Sequence, residues 1–336
     1  MKKNNILIIA EAGVNHNGKL SIAKKLVDIA VKAKANIIKF QSYKTENIVS
    51  KNLKKANYQK KFDSISSSQF DMLTRLELSE DDQYTLFEYC NKKKIQFLST
   101  PFDLDSFGFL KKLNLGIYKV PSGEITNIPL LRAIGAENKK VIISTGMSNM
   151  KEIKNAIDTI NKSGTKRNKI TLLHCTTEYP ARYSELNLNA MHTLKKKFNV
   201  NIGYSDHSNG IEVSIAAAAM GAKVIEKHFT FNQNAVGPDH KASLNPNELT
   251  KMVKSIRNVE ISLGSFKKEA SNSEKKNIML VRKYIVASTK IKKGEKFTHD
   301  NITTKRTGRG ISAAKWDQVL GKKSKKNYLK DMIISD

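Results

Sequence analysis

The chain has 336 residues, 39% hydrophobic and 27% charged, the composition of a soluble globular protein with room for one large domain and a small one. Its formal charge of +28 comes from lysines dispersed as doublets and triplets, such as Lys92–Lys94 and Lys195–Lys197, with no basic arm, aromatic platform or zinc-finger spacing, so a nucleic-acid partner is not expected. Two cysteines exclude a disulfide framework, and an N-terminal apolar run broken at Glu11 is neither a signal peptide nor a membrane span, so a cytoplasmic protein is expected.

Ile6–Ala10 predicts a buried strand ending in Glu11, followed by the loop Asn15-His16-Asn17-Gly18 and a helix over Ser21–Lys34, where Ile22, Leu26, Ile29, Ala30 and Ala33 recur at helical spacing. A second strand, Asn36–Phe40, delivers Lys39 and Gln41. Residues 44–78, with NYQKKF and SISSSQ, break the rhythm and predict an insertion above the domain. After a helix at Glu80–Lys93 the alternation becomes regular. Strands at Ile95–Leu98, Ile117–Val120, Lys140–Ile143 and Ile170–Leu173 are separated by helices at Leu104–Leu113, Ile128–Ala136 and Met150–Asn161, and a further helix follows at Leu188–Lys197. Asn201–Tyr204 and Lys223–Ile225 supply strands seven and eight, joined by the small, apolar helix Gly210–Met220. The last helix of this series is Asn247–Leu263.

Eight strand–helix pairs in about 260 residues predict a (β/α)8 TIM barrel over residues 1–263. At each strand's C-terminal end the apolar run gives way to a chemically capable group: Glu11, Lys39, Thr100, Glu124, Ser144, Thr177, His207 and His228. In a barrel these ends converge on one mouth, whereas an open doubly wound sheet would scatter them, and no glycine-rich dinucleotide loop follows the first strand. Beyond the barrel, residues 264–280 predict a polar linker. Residues 281–336 predict a small module with strands near Tyr284–Ala287 and Asn301–Arg306 and a core that includes Trp316.

Two histidines on neighbouring parallel strands can share one divalent metal, although a histidine pair at this spacing is by itself more often two separately satisfied side chains. Lys39 and Lys119 lie in apolar strands, where an unpaired ammonium is costly, with Thr100, Ser122 and Ser144 nearby. Such a cationic, hydroxyl-rich pocket suits a phosphate and a carboxylate on one small molecule. No activating base is identified for Cys90 or Cys175, and both are expected to be buried structural thiols.

The segments AEAGVNHNG, IKFQSYK, STPFD, YKVPSGEITN, STGM, LLHCTTEYP, GYSDHS, EKHFT and GPDHKASL resemble, in this order, those of the sialic acid synthase family. The tail IKKGEKFTHDNITTKRTGRGIS resembles that family's C-terminal antifreeze-like (SAF) domain. The resemblance implies a phosphoenolpyruvate-dependent transferase that joins phosphoenolpyruvate to an N-acylated hexosamine, giving a nine-carbon 2-keto acid and phosphate. It also implies that His207 and His228 hold a divalent metal, Mn²⁺ or Mg²⁺, and that Lys39, Thr100, Lys119, Ser122, Ser144 and Thr177 bind phosphoenolpyruvate. Gln41, Glu124, Tyr179 and Asp239 would contact the sugar, and Glu11 would act near the reacting atoms, with Lys39, Lys119 and Glu124 the other catalytic candidates. Arg306 of the partner subunit would reach the sugar's N-acyl group, which implies a domain-swapped homodimer. Two departures stand out: Thr177 where some members have Asn, and Thr307 after Arg306 where KRPG is commoner.

Within the family, GEITN, HCTTEYPA and GPDHKASL are nearest the branch that makes N,N'-diacetyllegionaminate from 2,4-diacetamido-2,4,6-trideoxymannose. N-acetylneuraminate formation from N-acetylmannosamine is the alternative. A non-catalytic carbohydrate-binding barrel would have lost the lysines or histidines, and octulosonate phosphate-forming barrels lack the C-terminal module.

Overall fold

The computed structural model describes residues 6–55 and 68–335; NYQKKF and most of SISSSQ lie outside the described residues. Eight parallel strands carry the first unit, Met1–Gly264: β1 (Leu7–Gly13), β2 (Ile37–Ser42), β3 (Gln96–Pro101), β4 (Ile117–Val120), β5 (Lys140–Ser144), β6 (Ile170–Cys175), β7 (Asn201–Asp206) and β8 (Val224–His228). Their order is β3-β2-β1-β8-β7-β6-β5-β4, and the terminal strands β3 and β4 pack on each other to close the expected (β/α)8 barrel.

Strand alternation builds the interior in layers. Side chains at every second position point inward. Ile9, Ile37, Leu98, Ile117, Ile142, Leu173 and Val224, one from each of seven strands, form the apolar floor. On β7 the floor position is Gly203, where a Cβ would fall 2.4 Å from the Val224 carbonyl oxygen and 2.5 Å from Leu173 Cδ2, so only glycine lets the strands close. Two residues further along each strand stand Glu11, Lys39, Thr100, Lys119, Ser144, Cys175, Ser205 and Glu226. Most strands run past their apolar stretch into this polar layer, so Glu11, Lys39, Thr100 and Ser144 lie inside strands rather than after them.

The outward residues pack on the helices. Leu20–Lys32 buries Ala23, Leu26, Val27 and Ala30, and Pro246–Ser262 starts from an Asn245–Glu248 capping box and buries Leu249, Met252, Val253 and Ile256. The alanine-rich helix Glu212–Ala219 covers a buried outward pair, Lys227 and Asp206, with Nζ 3.0 Å from Oδ2 and both side chains 0% exposed. Asp206 also accepts from Ser208 N, Ser208 Oγ and Ser214 Oγ at 2.9, 2.6 and 2.7 Å.

The second unit is Ser265–Asp336. The range expected as linker is largely helical in its second half: the helix Asn272–Val281, opened by a Ser271–Glu274 capping box, runs one residue past it. Two antiparallel strands, β9 (Tyr284–Ala287) and β10 (Ile302–Lys305), pack with Ile291, Phe297, Val319, Tyr328 and Ile334 into a small core. Trp316 sits half-buried at its margin, its ring 6.1 Å from His299, rather than at the centre.

Candidate active site

The polar layer is an ion-pair network. Lys39 Nζ lies 2.7 Å from Glu11 Oε2 and 3.6 Å from Glu226 Oε2, and donates to Thr100 Oγ1 at 3.0 Å. Lys119 Nζ donates to Ser144 Oγ at 2.6 Å and lies 3.7 Å from Glu226 Oε1, which also accepts from Ser205 Oγ at 3.0 Å. Two ammonium groups are thus matched by two carboxylates, all at most 5% exposed. Buried charges are tolerated when they are paired in this way.

Burial sets the protonation states. It pushes the Glu11 carboxyl up to about 7 against the pull of Lys39, with the Glu226 charge adding to the rise. Burial also acts to raise Glu226, but Lys119 and Lys39 outweigh it and hold that carboxyl near 2. On Lys39 burial is outweighed by Glu11 and Glu226, so the group stays firmly cationic. On Lys119 burial prevails and its ammonium is lowered.

Above this layer stand the histidines, 5.6 Å apart between ring centroids. His207 donates Nδ1–H to the Thr176 carbonyl at 2.7 Å, which makes Nε2 the lone-pair nitrogen, 3.5 Å from Ser205 Oγ. His228 Nδ1 is buried with no hydrogen-bond partner among the described residues, and Asp239 Oδ2 stands 3.9 Å away. Burial lowers His207 to about 4 and His228 well below its usual value, and raises Asp239 to about 6. Both rings are therefore neutral at pH 7. Tyr179, which precedes a cis Tyr179–Pro180 peptide, lies over His207 at 4.2 Å and edge-on to His228 at 5.6 Å.

A cavity of about 430 Å³ opens over these groups, within the range of small-molecule sites. Glu11, Lys39, Gln41, Thr100, Lys119, Ser122, Glu124, Ser144, Thr177, Tyr179, His207, His228 and Asp239 all line it. Glu124 is oriented by Asn127 Nδ2, which donates to it at 2.7 Å. Gly146 gives up its side chain to the site: a Cβ would stand 2.2 Å from Thr177 Oγ1 and 2.9 Å from Ser122 Oγ, while its N–H donates to Ser122 Oγ at 3.0 Å. Arg306 lies in the second unit, exposed immediately after β10.

Three features escaped the sequence reading. Glu226 joins both lysines, and its position two residues before His228 on one strand was the available signal. Cys175 faces the interior with Sγ 3.3 Å from Ser122 Oγ, so only Cys90, whose thiol burial pushes up to about 12, sits wholly outside the site. Residues 44–78 are also more than an insertion. Their described flanks, the helices Thr45–Ile48 and Gln69–Leu76, form one wall of the cavity.

Fold and cavity together define a barrel enzyme whose mouth is equipped for a small polyanion beside a pair of neutral histidines. A sequence profile of the NeuB family matches residues 26–268, and the SAF domain profile matches residues 282–336. The chain belongs to the NeuB family and ends in a SAF domain. It is 52% identical over all 336 residues of both chains to an N,N'-diacetyllegionaminic acid synthase of Campylobacter jejuni. It is 44% identical to one of Legionella pneumophila, over 95% of this chain and 90% of that protein. A crystal structure of N-acetylneuraminic acid synthetase from Leptospira borgpetersenii, in complex with citrate, superposes with a TM-score of 0.73 at 38% identity, covering 82% of this chain and 91% of that one.

Proposed function

We propose that the protein condenses phosphoenolpyruvate with 2,4-diacetamido-2,4,6-trideoxymannose, giving N,N'-diacetyllegionaminate and phosphate. The likeness to the two legionaminic acid synthases supports the sugar. The observation that carries the chemistry is the charged layer of Lys39, Lys119, Glu11 and Glu226 beneath the histidine pair.

Phosphoenolpyruvate would lie against Lys39, Lys119, Thr100, Ser122, Ser144 and Thr177, with the sugar against Gln41, Glu124, Tyr179 and Asp239. The lysines already balance two carboxylates, so a multiply anionic ligand shifts the layer toward excess negative charge. C3 of phosphoenolpyruvate attacks the aldehyde carbon of the open-chain sugar, the C–C bond forms, and the former carbonyl oxygen takes a proton. Water then adds at C2, and cleavage of the bond between C2 and the phosphate ester oxygen releases phosphate and leaves the 2-keto acid. Glu11 is placed to take the proton of that water.

The histidines fit a divalent metal such as Mn²⁺ or Mg²⁺: both are neutral, His207 Nε2 meets only the Ser205 hydroxyl, at 3.5 Å, among the described residues, and His228 Nδ1 has no hydrogen-bond partner among them. Among the described residues no three His, Cys, Asp or Glu side chains form a group that could hold a metal ion, so the pair would leave positions for ligands other than protein. A metal held there supplies Lewis-acid polarisation of a carbonyl oxygen.

The working form in this proposal is a homodimer in which Arg306 of the partner subunit reaches the sugar's N-acyl group. Exposed Phe266, Met279 and Leu280 support it, since apolar side chains of that size gain by being covered. We place the protein in the cytoplasm, where two free cysteines stay reduced; among the described residues no helix is long and apolar enough to cross a membrane. The test is phosphate release and keto-acid formation from phosphoenolpyruvate with each candidate sugar in the presence of Mn²⁺. Turnover with neither sugar overturns the synthase reading.

A further inference from the structure

The cavity has two chemically unlike sides. Lys119, Ser122, Ser144 and Thr177, from β4 to just beyond β6, give it hydroxyls and charge. Across from them, the described residues of 44–78 contribute Ile48, Val49, Met72, Leu73 and Leu76, with Gln69 as one amide. Met72 and Leu76 form a small core of their own with Val14 and Tyr43, against which Ile48, Leu73 and Phe102 pack. Hydrogen bonds anchor the described ends of this segment. Tyr43 Oη donates to the Leu73 carbonyl at 3.1 Å, and Thr45 donates through N and Oγ1 to Glu77 Oε2 at 2.9 and 2.7 Å. Lys44 N donates to Asp103 Oδ2 at 3.0 Å, which anchors the segment to the barrel rim.

We infer that this apolar wall is the specificity surface for the end of the sugar remote from its aldehyde, and that it selects a methyl-bearing, deoxygenated end over a hydroxylated one. The inference rests on the condensation proposed above. The anionic co-substrate claims the lysine and hydroxyl side, and the aldehyde carbon must meet it over the charged layer, so the rest of the sugar extends toward the remaining side. A hydroxyl pressed on Ile48, Leu73 and Phe102 loses its water and gains no hydrogen bond from those three side chains, whereas a 6-deoxy methyl or an acetamido methyl buries apolar surface. An apolar pocket rejects an added hydroxyl only moderately, by about 100-fold, so selection rather than absolute exclusion is expected.

The experiment compares kcat/KM for 2,4-diacetamido-2,4,6-trideoxymannose and for N-acetylmannosamine, at saturating phosphoenolpyruvate and Mn²⁺, in the wild type, Leu73→Gln and Ile48→Asn. The wild type is expected to prefer the trideoxy sugar by about 10- to 100-fold. Each variant should shrink that ratio at least about fivefold, mainly by raising KM for the trideoxy sugar, with KM for phosphoenolpyruvate unchanged. An unchanged ratio in both folded variants overturns the inference and leaves the proposed condensation standing, whereas a wild type that favours N-acetylmannosamine overturns the inference and the choice of sugar but not the condensation with phosphoenolpyruvate. Turnover with neither sugar removes the condensation and the inference together. If neither polar variant folds, Leu73→Ala carries the same comparison, and an unchanged ratio in it overturns the inference.

Discussion

Replacing Lys227 by Met tests whether the outward-facing ion pair next to the two histidines holds the β7–β8 edge together. Lys227 and Asp206 are 3.0 Å apart and both 0% exposed, and Lys227 also donates to the Ser208 carbonyl. Removing the ammonium strands a buried carboxylate, which typically costs about 3–5 kcal/mol. Asp206 keeps three donors from Ser208 and Ser214, which soften the loss, so the lower end, about 3 kcal/mol, is expected. At about 2–4 °C per kcal/mol for a domain of this size, Tm should fall by about 6–12 °C. Urea unfolding of Lys227→Met, Asp206→Asn and the double variant closes a cycle in which the double variant should recover at least about half of the Lys227→Met loss, because no lone charge remains. A Lys227→Met protein within about 1 kcal/mol of wild type, or a double variant no better than the worse single one, would refute the reasoning.

Glu11 titrates near 7, so its proton-accepting form is scarce below that pH and dominant above it. With metal saturating, kcat should rise as pH increases through about 7, and a pH profile of Glu11→Gln should lose that limb along with most of the turnover. Glu226→Gln leaves both lysines without a shared counter-charge; Lys119, already lowered by burial, loses the carboxylate that opposes that shift and should be lowered further, and KM for phosphoenolpyruvate measured in steady state should rise at least about tenfold. Gly146→Ala would press a methyl on Thr177 Oγ1 and Ser122 Oγ. The loss of one hydrogen bond to a charged ligand, about 1.5–3 kcal/mol, predicts about a 10- to 100-fold weaker phosphoenolpyruvate Kd by calorimetry. Alanine at both His207 and His228 should abolish Mn²⁺ binding and metal-dependent turnover while circular dichroism shows the barrel intact; retained activity refutes the metal assignment.

Much of the site was legible because a barrel turns sequence position into spatial convergence. Once eight strands are recognised, Lys39, Thr100, Lys119, Ser144, His207 and His228 must meet at one mouth, whatever the details of packing. Less legible was which of two adjacent polar residues faces in. Strands buried on both faces show no hydrophobic alternation, so Glu226 and Lys227 look equivalent in EKH, and Ser205 and Asp206 in SDH. In the folded protein Glu226 binds the two interior lysines while Lys227 turns out to Asp206 beneath the helix Glu212–Ala219.

The sequence alone determined the barrel, the SAF-like tail, the strand ends that carry chemistry and the family resemblance, all of which rest on local pattern and order along the chain. Tertiary structure decided the pairing of charges, the raised carboxyl of Glu11, the inward thiol of Cys175 and the apolar wall to which Ile48, Met72, Leu73 and Leu76 contribute. These depend on burial and on contacts between residues distant in sequence. Met72 and Leu76 meet Val14 only after the chain has closed around them.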